Sequence, residues 1–396
     1  MTDIELKKYA SLIVNKGVNL QKGQGVIIYS STEAMSLVNF IIEEANKKGA
    51  SMIITRLTNE EDTKRRIESL DSLNDPQEDI SDIPSFVRIR IRSESPNYLS
   101  DVDQDKYRQY NAYERERNKP INLKVKQWTI VPFPTLDWAK YIFKDKDDNE
   151  ALALLWKHIK TAVRLDDDPI KNWTLHDKAL HDRCDILNKL GIKRVHYQSS
   201  NGTDLYVSLN QRARFIGGSV KIDGVEYEPN IPSEEVYTAP DSLSAEGVVY
   251  ASKPLYLYGH ILKDFGFKFS KGEVVEITGE ETTKELFGYI FKNIPGSNRL
   301  GEIAFVPYDS PINQTGILFF KNLLDENASC HIALGDAITD AFEGLNNLSK
   351  EEYDGLHINR SPIHIDFMMG TKDLKIAVET FDNREVLIFK DGNFVL

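Results

Sequence analysis

The feature that most constrains the fold is a strand–helix–strand order near the start of the chain. Two almost wholly apolar runs, at 26–29 and 52–55, flank a helical stretch from about Glu33 to Lys48 that ends at Gly49. Strands that are apolar on both faces are typical of parallel sheets covered by helices. A preceding helix is indicated over 3–16 by apolar positions at helical spacing. The first half therefore predicts an α/β domain with a parallel sheet.

The rest of this half continues the alternation. Arginines alternate with apolar residues at 87–91, as in an edge-type strand, and 128–131 reads as a further strand. Helices are predicted at 107–117 and over 149–187, with a break near 166–169, and His158, His176 and His181 lie on the latter as ordinary polar residues. The turn at 30–33 has no glycine, which disfavours a dinucleotide-binding site and a nucleotide-binding function.

From Ile192 the pattern changes to short strands broken by Gly, Pro, Asn or Asp. Helices are predicted at 282–292 and 317–324, and a C-terminal hairpin over 386–396. This half predicts an α+β, strand-rich domain. We place the boundary near residue 188, which gives an N-terminal domain of 1–188 and a C-terminal catalytic domain of 189–396.

Charge and cysteine content restrict the function. The net charge is −12 and the pI is near 5.3, which argues against nucleic acid or an anionic membrane as partner. No apolar run reaches transmembrane length, and the charged N-terminus is not typical of a secretory signal. Cys184 and Cys330 are best interpreted as free thiols of a cytoplasmic protein. A catalytic Cys330–His331 pair is disfavoured, because neighbours on a strand point to opposite faces.

Carboxylates and histidines recur in strand-like or turn segments of the second half. His364 and Asp366 are two apart, so both point to one face of a strand while Ile363, Ile365 and Phe367 face a core. A buried pair of this kind needs compensation, and a metal ion supplies it. Taken alone, the pair is slightly better explained as a His–Asp hydrogen bond in a core.

Further carboxylates add to this set. Glu302 enters an apolar strand, and Glu326 and His331 lie at a helix end and the start of the next strand. Considered singly, Glu326 is better explained as a solvated carboxylate at a helix end and His331 as a lone core histidine. Glu234 and Glu235 follow Pro232 and point to opposite faces, so only one of them can be a ligand, and the pattern does not choose between them.

Charge counting favours two metal ions. Four carboxylates balance two dications, with His331 and His364 as neutral ligands, whereas one ion would leave unpaired negative charge. Carboxylates with two imidazoles suit zinc, cobalt or manganese better than calcium. Such a pair generates hydroxide from water near neutral pH.

Five motifs together resemble the aminopeptidase T / aminopeptidase S family of metallopeptidases. They are Asn-Ile-Pro-Ser-Glu-Glu-Val-Tyr-Thr-Ala-Pro (230–240), Leu-Gly-Glu (300–302), Ser-Pro-Ile (310–312), Asp-Glu-Asn-Ala-Ser-Cys-His-Ile-Ala-Leu-Gly (325–335) and His-Ile-Asp-Phe-Met-Met-Gly (364–370). The resemblance implies two divalent metals, release of N-terminal residues from peptides with a free N-terminus, a cytoplasmic location and a homodimer. It implies six ligands, and it favours Glu235 over Glu234: Glu235, Glu302, Glu326, His331, His364 and Asp366.

One position departs from the family. Seven residues past His331 the family usually carries a tyrosine, whereas this chain has Ile338, which cannot donate a hydrogen bond to an intermediate. Tyr353 or another side chain could substitute. We expect Glu302 to bridge the metals and to be the best candidate for receiving the water proton. The alternative is a metal-binding homologue with weak or no peptidase activity that acts as a binding or scaffold protein.

Overall fold

The computed structural model describes residues 1–76, 78–99, 101–345 and 348–396. The chain forms two compact units, one of Met1–His176 with Ser219–Pro232 and one of Asp177–Gly218 with Ser233–Leu396. The structure confirms the predicted α/β first half with a parallel sheet and the strand-rich second half. The boundary expected at residue 188 stays a prediction.

The elements up to residue 190 alternate as expected, and each strand of the sheet is followed by a helix. In chain order they are α1 (Asp3–Leu12), β1 (Gly25–Ser31), α2 (Met35–Lys47), β2 (Met52–Thr58), α3 (Glu60–Glu68), β3 (Phe86–Arg92), α4 (Gln104–Asn122), β4 (Val125–Pro132), α5 (Leu136–Ile142), α6 (Asp148–Ala162) and α7 (Pro169–Leu190).

The parallel sheet has the strand order β2-β1-β3-β4. Its apolar strands pack into a core that includes Ile27, Ile54 and Phe86. The prediction of an edge strand at 87–91 is wrong, because β3 is paired on both sides. Its arginines all point to one face of the sheet, and the apolar residues that alternate with them point to the other. The same alternation occurs in an edge strand with one face in water, so the pattern alone does not distinguish the two.

The remaining elements are mainly strands. They are β5 (Ile192–Gln198), β6 (Asp204–Ser208), β7 (Val220–Ile222), β8 (Val225–Tyr227), β9 (Val236–Thr238), β10 (Glu246–Tyr250), β11 (Leu255–Leu257), β12 (His260–Leu262), β13 (Gly266–Ser270), β14 (Glu273–Thr278), α8 (Glu281–Asn293), β15 (Leu300–Phe305), α9 (Asn322–Asp325), β16 (His331–Gly335), α10 (Lys350–Asp354), β17 (His364–Met368), β18 (Lys375–Thr380), β19 (Glu385–Lys390) and β20 (Asn393–Phe394).

The hairpin β7–β8 belongs to the first unit. The Glu228 amide donates to the Gly17 carbonyl at 2.9 Å, and the Lys16 ammonium lies 3.3 Å from the Glu228 carboxylate. The chain therefore returns to the first unit for a short segment before the second unit resumes.

Among the described residues, the second unit contains two large antiparallel sheets and the small two-stranded sheet β11–β12. The eight-stranded sheet has the order β14-β13-β10-β6-β5-β18-β19-β20, and the four-stranded sheet has the order β17-β16-β15-β9. Phenylalanines fill much of the core, and Phe367 of β17 packs against Phe265 and Phe267 with ring centroids 5.7 and 5.2 Å apart. This packing fixes which face of β17 is turned away from the core.

The helix predicted at 317–324 is wrong. Gly316 has a left-handed backbone, with φ at 69°, and ends a short 3-10 turn. The Asp325 carboxylate then accepts hydrogen bonds from the amides of Phe319 and Lys321 at 2.7 and 2.9 Å. Because these local bonds satisfy the backbone without a helix, only the short α9 forms.

Within the described residues, no helix combines the length and apolar character needed to cross a bilayer.

Candidate metal centre

The four-stranded sheet of the second unit brings the predicted site residues together through its register. Glu302 of β15 is opposite Ala333 of β16, and Ala333 is opposite Asp366 of β17. Residues opposite one another across strands share a face. Ala333 has only a methyl side chain, so space remains between the two carboxylates that flank it.

A bulge at Gly301 sets the direction of Glu302. The register shifts between Leu300 and Glu302, with Leu300 opposite Leu334 in the core. Without the extra residue, the period of two would turn Glu302 into the core as well. A side chain at Gly301 would lie 2.3 Å from the Asp336 carbonyl oxygen and 2.5 Å from that of Gly335. The bulge in the Leu-Gly-Glu motif therefore turns the Glu302 carboxylate out of the core.

The histidines follow the same alternation. Ile332 and Leu334 of β16 and Ile365 and Phe367 of β17 belong to the core, which leaves His331, His364 and Asp366 on the other face. The prediction that His364 and Asp366 share a face is confirmed. His364 is opposite Gly335 across the same pair of strands.

Glu235 enters this face from the segment before β9. One of its carboxylate oxygens lies 3.1 Å from His331 Nε2. The neighbouring Glu234 is also buried, and its amide donates to the Asn327 side-chain oxygen at 2.6 Å. The structure thus brings Glu235 close to His331.

Two groups of potential ligands overlap at one carboxylate. Glu235, Glu302 and His331 form the first, and Glu302, His364 and Asp366 form the second, with the ligand atoms of each group within 4.8 Å of one another. His364 Nε2 lies 3.1 Å from Glu302 and 3.0 Å from Asp366, while His331 Nε2 lies 3.9 Å from Glu302. Glu302 therefore belongs to both groups of potential ligands.

The donor atoms fit a divalent cation. His364 Nδ1 lies 2.8 Å from the Asp336 carbonyl oxygen, which can only accept, so Nδ1 carries the proton. In the neutral ring, Nε2 then presents a lone pair to two carboxylates. Only a second ring proton or a cation makes this arrangement favourable. A backbone carbonyl that fixes the tautomer is the usual support of a histidine ligand.

The pKa values of the clustered side chains also indicate an excess of negative charge at the site. Burial opposes ionisation of the imidazoles, yet the Glu235 hydrogen bond raises the pKa of His331 to about 10, and contacts with Asp366 and Glu302 raise the pKa of His364 to about 12. Burial and then neighbouring carboxylates raise the pKa of Glu302 to about 7, although its His364 hydrogen bond lowers it. Burial also opposes ionisation of Asp366, but His364 lowers its pKa to about 2.

Glu326 lies beside this cluster without joining either group. It is half-buried in a 3-10 turn that follows α9. Burial raises its pKa well above the usual value, and the charges of Asp366 and Glu235 raise it further. The structure thus assembles five of the six predicted ligands, and it leaves Glu326 within electrostatic reach of them.

Two neighbours were not predicted from the sequence. The Asn322 amide donates to Asp366 at 2.9 Å and so holds that carboxylate in place. Tyr237 lies opposite Ala304, which is itself opposite His331, so the phenol shares the face of the site. Burial and the charges of Glu235 and Glu302 raise the pKa of Tyr237 well above its usual value, which keeps its hydroxyl a donor. Asn322 carries no recognisable sequence signal, whereas Tyr237 lies within the 230–240 motif but was assigned no role from it.

The position at which the family tyrosine was expected lies next to the cluster. Ile338 lines a cavity of about 330 Å³ together with His364 and the surrounding loop residues 336–340. An apolar side chain therefore faces the exposed histidine of the site.

The cysteine alternative is not supported by the geometry. Cys330 and Cys184 are both buried and free. The Cys330 thiol donates to the Val306 carbonyl at 3.3 Å and belongs to the core, and burial raises its pKa to about 12. A thiol held in this way is not a nucleophile near neutral pH.

Comparison with known proteins is consistent across the chain. Residues 2–394 match the family described as thermophilic metalloprotease (M29). The chain is 36% identical to aminopeptidase AmpS of Bacillus subtilis (strain 168), over 98% of both chains, and 32% identical to aminopeptidase T of Thermus thermophilus, over 99% of this chain and 98% of the relative. The solved structure of wild-type AmpT from Thermus thermophilus superposes with a TM-score of 0.87 at 31% identity, covering 99% of each chain.

Proposed function

We propose that this chain, which belongs to the thermophilic metalloprotease (M29) family and is a metal-dependent aminopeptidase, works with two divalent cations bound at the cluster around Glu302. One observation carries the proposal: Glu302 belongs to two overlapping groups of ligand atoms. A single ion would leave one of these groups, with its buried carboxylates, uncompensated.

We assign the ligands in two sets. Glu235, Glu302 and His331 would hold one cation, and Glu302, His364 and Asp366 would hold the other, with Glu326 as a sixth ligand beside them. Carboxylates and imidazoles together suit zinc, cobalt or manganese. When bound, the two ions would supply Lewis-acid polarisation of the peptide carbonyl and a water that deprotonates near neutral pH.

The protein's own contribution is orientation. The Asp336 carbonyl fixes the His364 ring, and Asn322 fixes Asp366. Glu302 faces away from the core on a rigid bulged strand, so it is also the candidate for receiving the proton of the attacking water. A free amino terminus of the peptide would be attracted by the acidic groups of the cluster, which restricts cleavage to the first residue.

Hydrogen-bond donation to the developing oxyanion has to come from a residue other than Ile338. Tyr237 is the candidate, since its phenol shares the face of the site and stays protonated. If Tyr237 serves this role, Tyr237→Phe lowers kcat with little effect on metal content. If Ile338 limits the activity, as the alternative of a weakly active scaffold protein requires, Ile338→Tyr raises kcat.

The test combines metal analysis with an activity assay. Purified protein should contain two equivalents of metal per chain and release p-nitroaniline from a leucine p-nitroanilide. Removing the metal with a chelator should abolish turnover, and adding cobalt or zinc should restore it. One equivalent per chain would contradict the two-metal proposal, and two equivalents without turnover would favour the scaffold alternative.

We further propose a cytoplasmic homodimer. The family resemblance motivates the dimer, and two buried free thiols suit a reducing compartment. Light scattering after size-exclusion chromatography measures the mass in solution, and cell fractionation tests the location. A monomeric mass, or recovery outside the cytoplasm, would contradict the respective statement.

A further inference from the structure

A second polar cavity lies entirely within the first unit. It measures about 650 Å³ and is lined by residues between 29 and 117. Ser31, Thr58 and Arg92 are at or near the carboxyl ends of β1, β2 and β3, and all three line it. The cavity is thus at the carboxyl edge of the parallel sheet.

The strand order makes this edge a candidate for ligand binding. From β1 the chain moves to β2 on one side, and it then returns to β3 on the other side of β1. The change of direction leaves a crevice between β1 and β3 outside their carboxyl ends. Ligands of open parallel sheets bind in such crevices.

Half of the charged groups in the cavity wall pair closely with one another. The wall carries six arginines and six carboxylates. Arg66 and Arg117 both pair with Asp75 and Glu114, at distances of 2.5 to 3.3 Å. Asp62 is likewise paired, with Arg65. A cluster of this kind is held together from within.

Among the arginines of the wall, Arg90 is the exception. Its guanidinium lies over the Tyr29 ring, 5.4 Å from the centroid, and within the described part of the chain it has no carboxylate within 4.0 Å. Arg88 and Arg92, on the same face of β3, carry the same charge. Arg92 lies 3.8 Å from Glu94, which is longer than a hydrogen bond. Arg90 is exposed to solvent on one side. Burial of its guanidinium in the cavity nevertheless lowers its pKa, and the like charges of Arg92 and Arg88 lower it further.

Two further arginines of the cavity wall have a side-chain donor without a partner in the described structure. Arg56 and Arg117 line the cavity, and the Nε atom of each is buried without a hydrogen-bond partner in the described structure. Register places Arg56, Tyr29 and Arg90 in one row across β2, β1 and β3. A buried donor without a protein partner is usually satisfied by an ordered water or an ion.

We propose that this cavity binds a small organic anion whose carboxylate or phosphate is held by Arg90. A guanidinium binds either group through two parallel hydrogen bonds, and the Tyr29 ring keeps it flat and oriented. A cavity of about 650 Å³ is of the size that accommodates a small metabolite. The site is separate from the metal cluster, and the proposal does not rest on the aminopeptidase activity.

Isothermal titration calorimetry of the full-length protein tests this, with succinate as the carboxylate probe and adenosine monophosphate as the phosphate probe. We expect saturable binding of at least one probe. Arg90→Gln should weaken it by at least about tenfold, because a charge-assisted contact is lost. Arg90→Lys keeps the charge but not the paired donors, so its effect should be intermediate.

Arg88→Gln is the matched control, since it makes the same change on the same face of the same strand, outside the cavity. It should bind as wild type does. Binding of one probe alone identifies the anionic group. Absence of saturable binding for both probes up to about 10 mM, or equal weakening in Arg88→Gln and Arg90→Gln, would overturn the proposal.

Discussion

The two units bury charged side chains in opposite ways. In the first unit, Arg66 is bonded to Asp75 and Glu114, so each carboxylate has a cation of the protein beside it. In the second unit, Glu302 and Asp366 share a face with imidazoles, which compensate a carboxylate only when they are protonated. The carboxylates of the first cluster are compensated by arginines of the same chain, whereas those of the second need positive charge from a bound cation.

The pKa values follow this difference. The Arg66 hydrogen bond lowers the pKa of Asp75. Burial raises the pKa of Glu302 to about 7 in the absence of metal. A cluster whose charges are compensated within the chain is therefore destabilised when one partner is removed, whereas an uncompensated cluster costs stability until a ligand binds. The comparison indicates which carboxylates are structural and which are functional.

The largest effect is expected for Glu302→Gln, which keeps the shape of the side chain and removes its charge. Because the proposed shared ligand is lost, metal content should fall below two per chain, and kcat/KM should drop by roughly a thousandfold or more. The metal-free variant should be at least as stable as metal-free wild type, since a buried charge is removed.

Metal analysis, a leucine p-nitroanilide assay and urea unfolding measure these three quantities. Glu385→Gln alters an exposed carboxylate of the same unit and should change none of them. Wild-type metal content and turnover in Glu302→Gln would remove Glu302 from the site.

Metal affinity should depend steeply on pH. His331 and His364, with pKa values raised to about 10 and 12 in the metal-free cluster, carry protons at neutral pH that a cation has to displace. Affinity should therefore rise with pH, by about tenfold per unit for each proton released. Calorimetric titration of zinc in buffers of different ionisation enthalpy counts these protons. Binding without proton release would contradict the assigned ligands.

Much of this architecture could be read from the sequence. The apolar runs at 26–29 and 52–55 predicted the parallel sheet, and the two-residue spacing of His364 and Asp366 predicted their common face. Both patterns depend only on local periodicity, which side-chain burial imposes directly. The functional family followed from the joint order of five short motifs.

Non-local features could not be read in this way. The outward direction of Glu302 depends on a bulge at Gly301, and the space between the carboxylates depends on Ala333 in the neighbouring strand. The failed helix at 317–324 depends on a carboxylate further along the chain, Asp325, that captures two amides. Each of these requires knowledge of which segments meet.

The free energy of unfolding tests the arginine–carboxylate cluster of the first unit. Arg66→Gln leaves Asp75 and Glu114 with less compensation, so unfolding should become easier by about 1–3 kcal/mol. All four tryptophans, at 128, 138, 156 and 173, belong to the first unit, so their fluorescence during urea unfolding reports on it selectively. Metal content should stay unchanged.

The neighbouring Arg65→Gln provides the control. Its side chain is 70% exposed and pairs with Asp62 at the surface, so its removal should cost little. If Arg66→Gln were as stable as Arg65→Gln, the arginine–carboxylate cluster would contribute nothing to the first unit, and the contrast between the two units would fail.

The smallest expected effect concerns Glu5, which has an internal cation partner at the start of α1. Its carboxylate binds the Lys160 ammonium at 2.6 Å, caps the Thr2 amide at 2.7 Å and accepts from the Trp156 indole at 3.3 Å. The Lys160 bond lowers the pKa of Glu5 from 4.5 to about 2, despite some burial. The stabilisation is therefore complete above the unfolded value and is lost as the pH falls from about 4.5 to about 2.

Glu5→Gln should lower the free energy of unfolding at pH 7 by about 0.5–1 kcal/mol, the scale of one cap or one exposed ion pair. The difference from wild type should shrink steadily below pH 4.5, as the wild-type carboxylate takes up its proton. Glu43→Gln, at an exposed position on α2, should match wild type throughout. Trp156, which contacts Glu5, contributes one of the four tryptophan signals of the first unit. A difference that persisted undiminished at pH 2 would assign the contribution to packing rather than to charge, and the first unit would then owe less to internal ion pairing than its structure indicates.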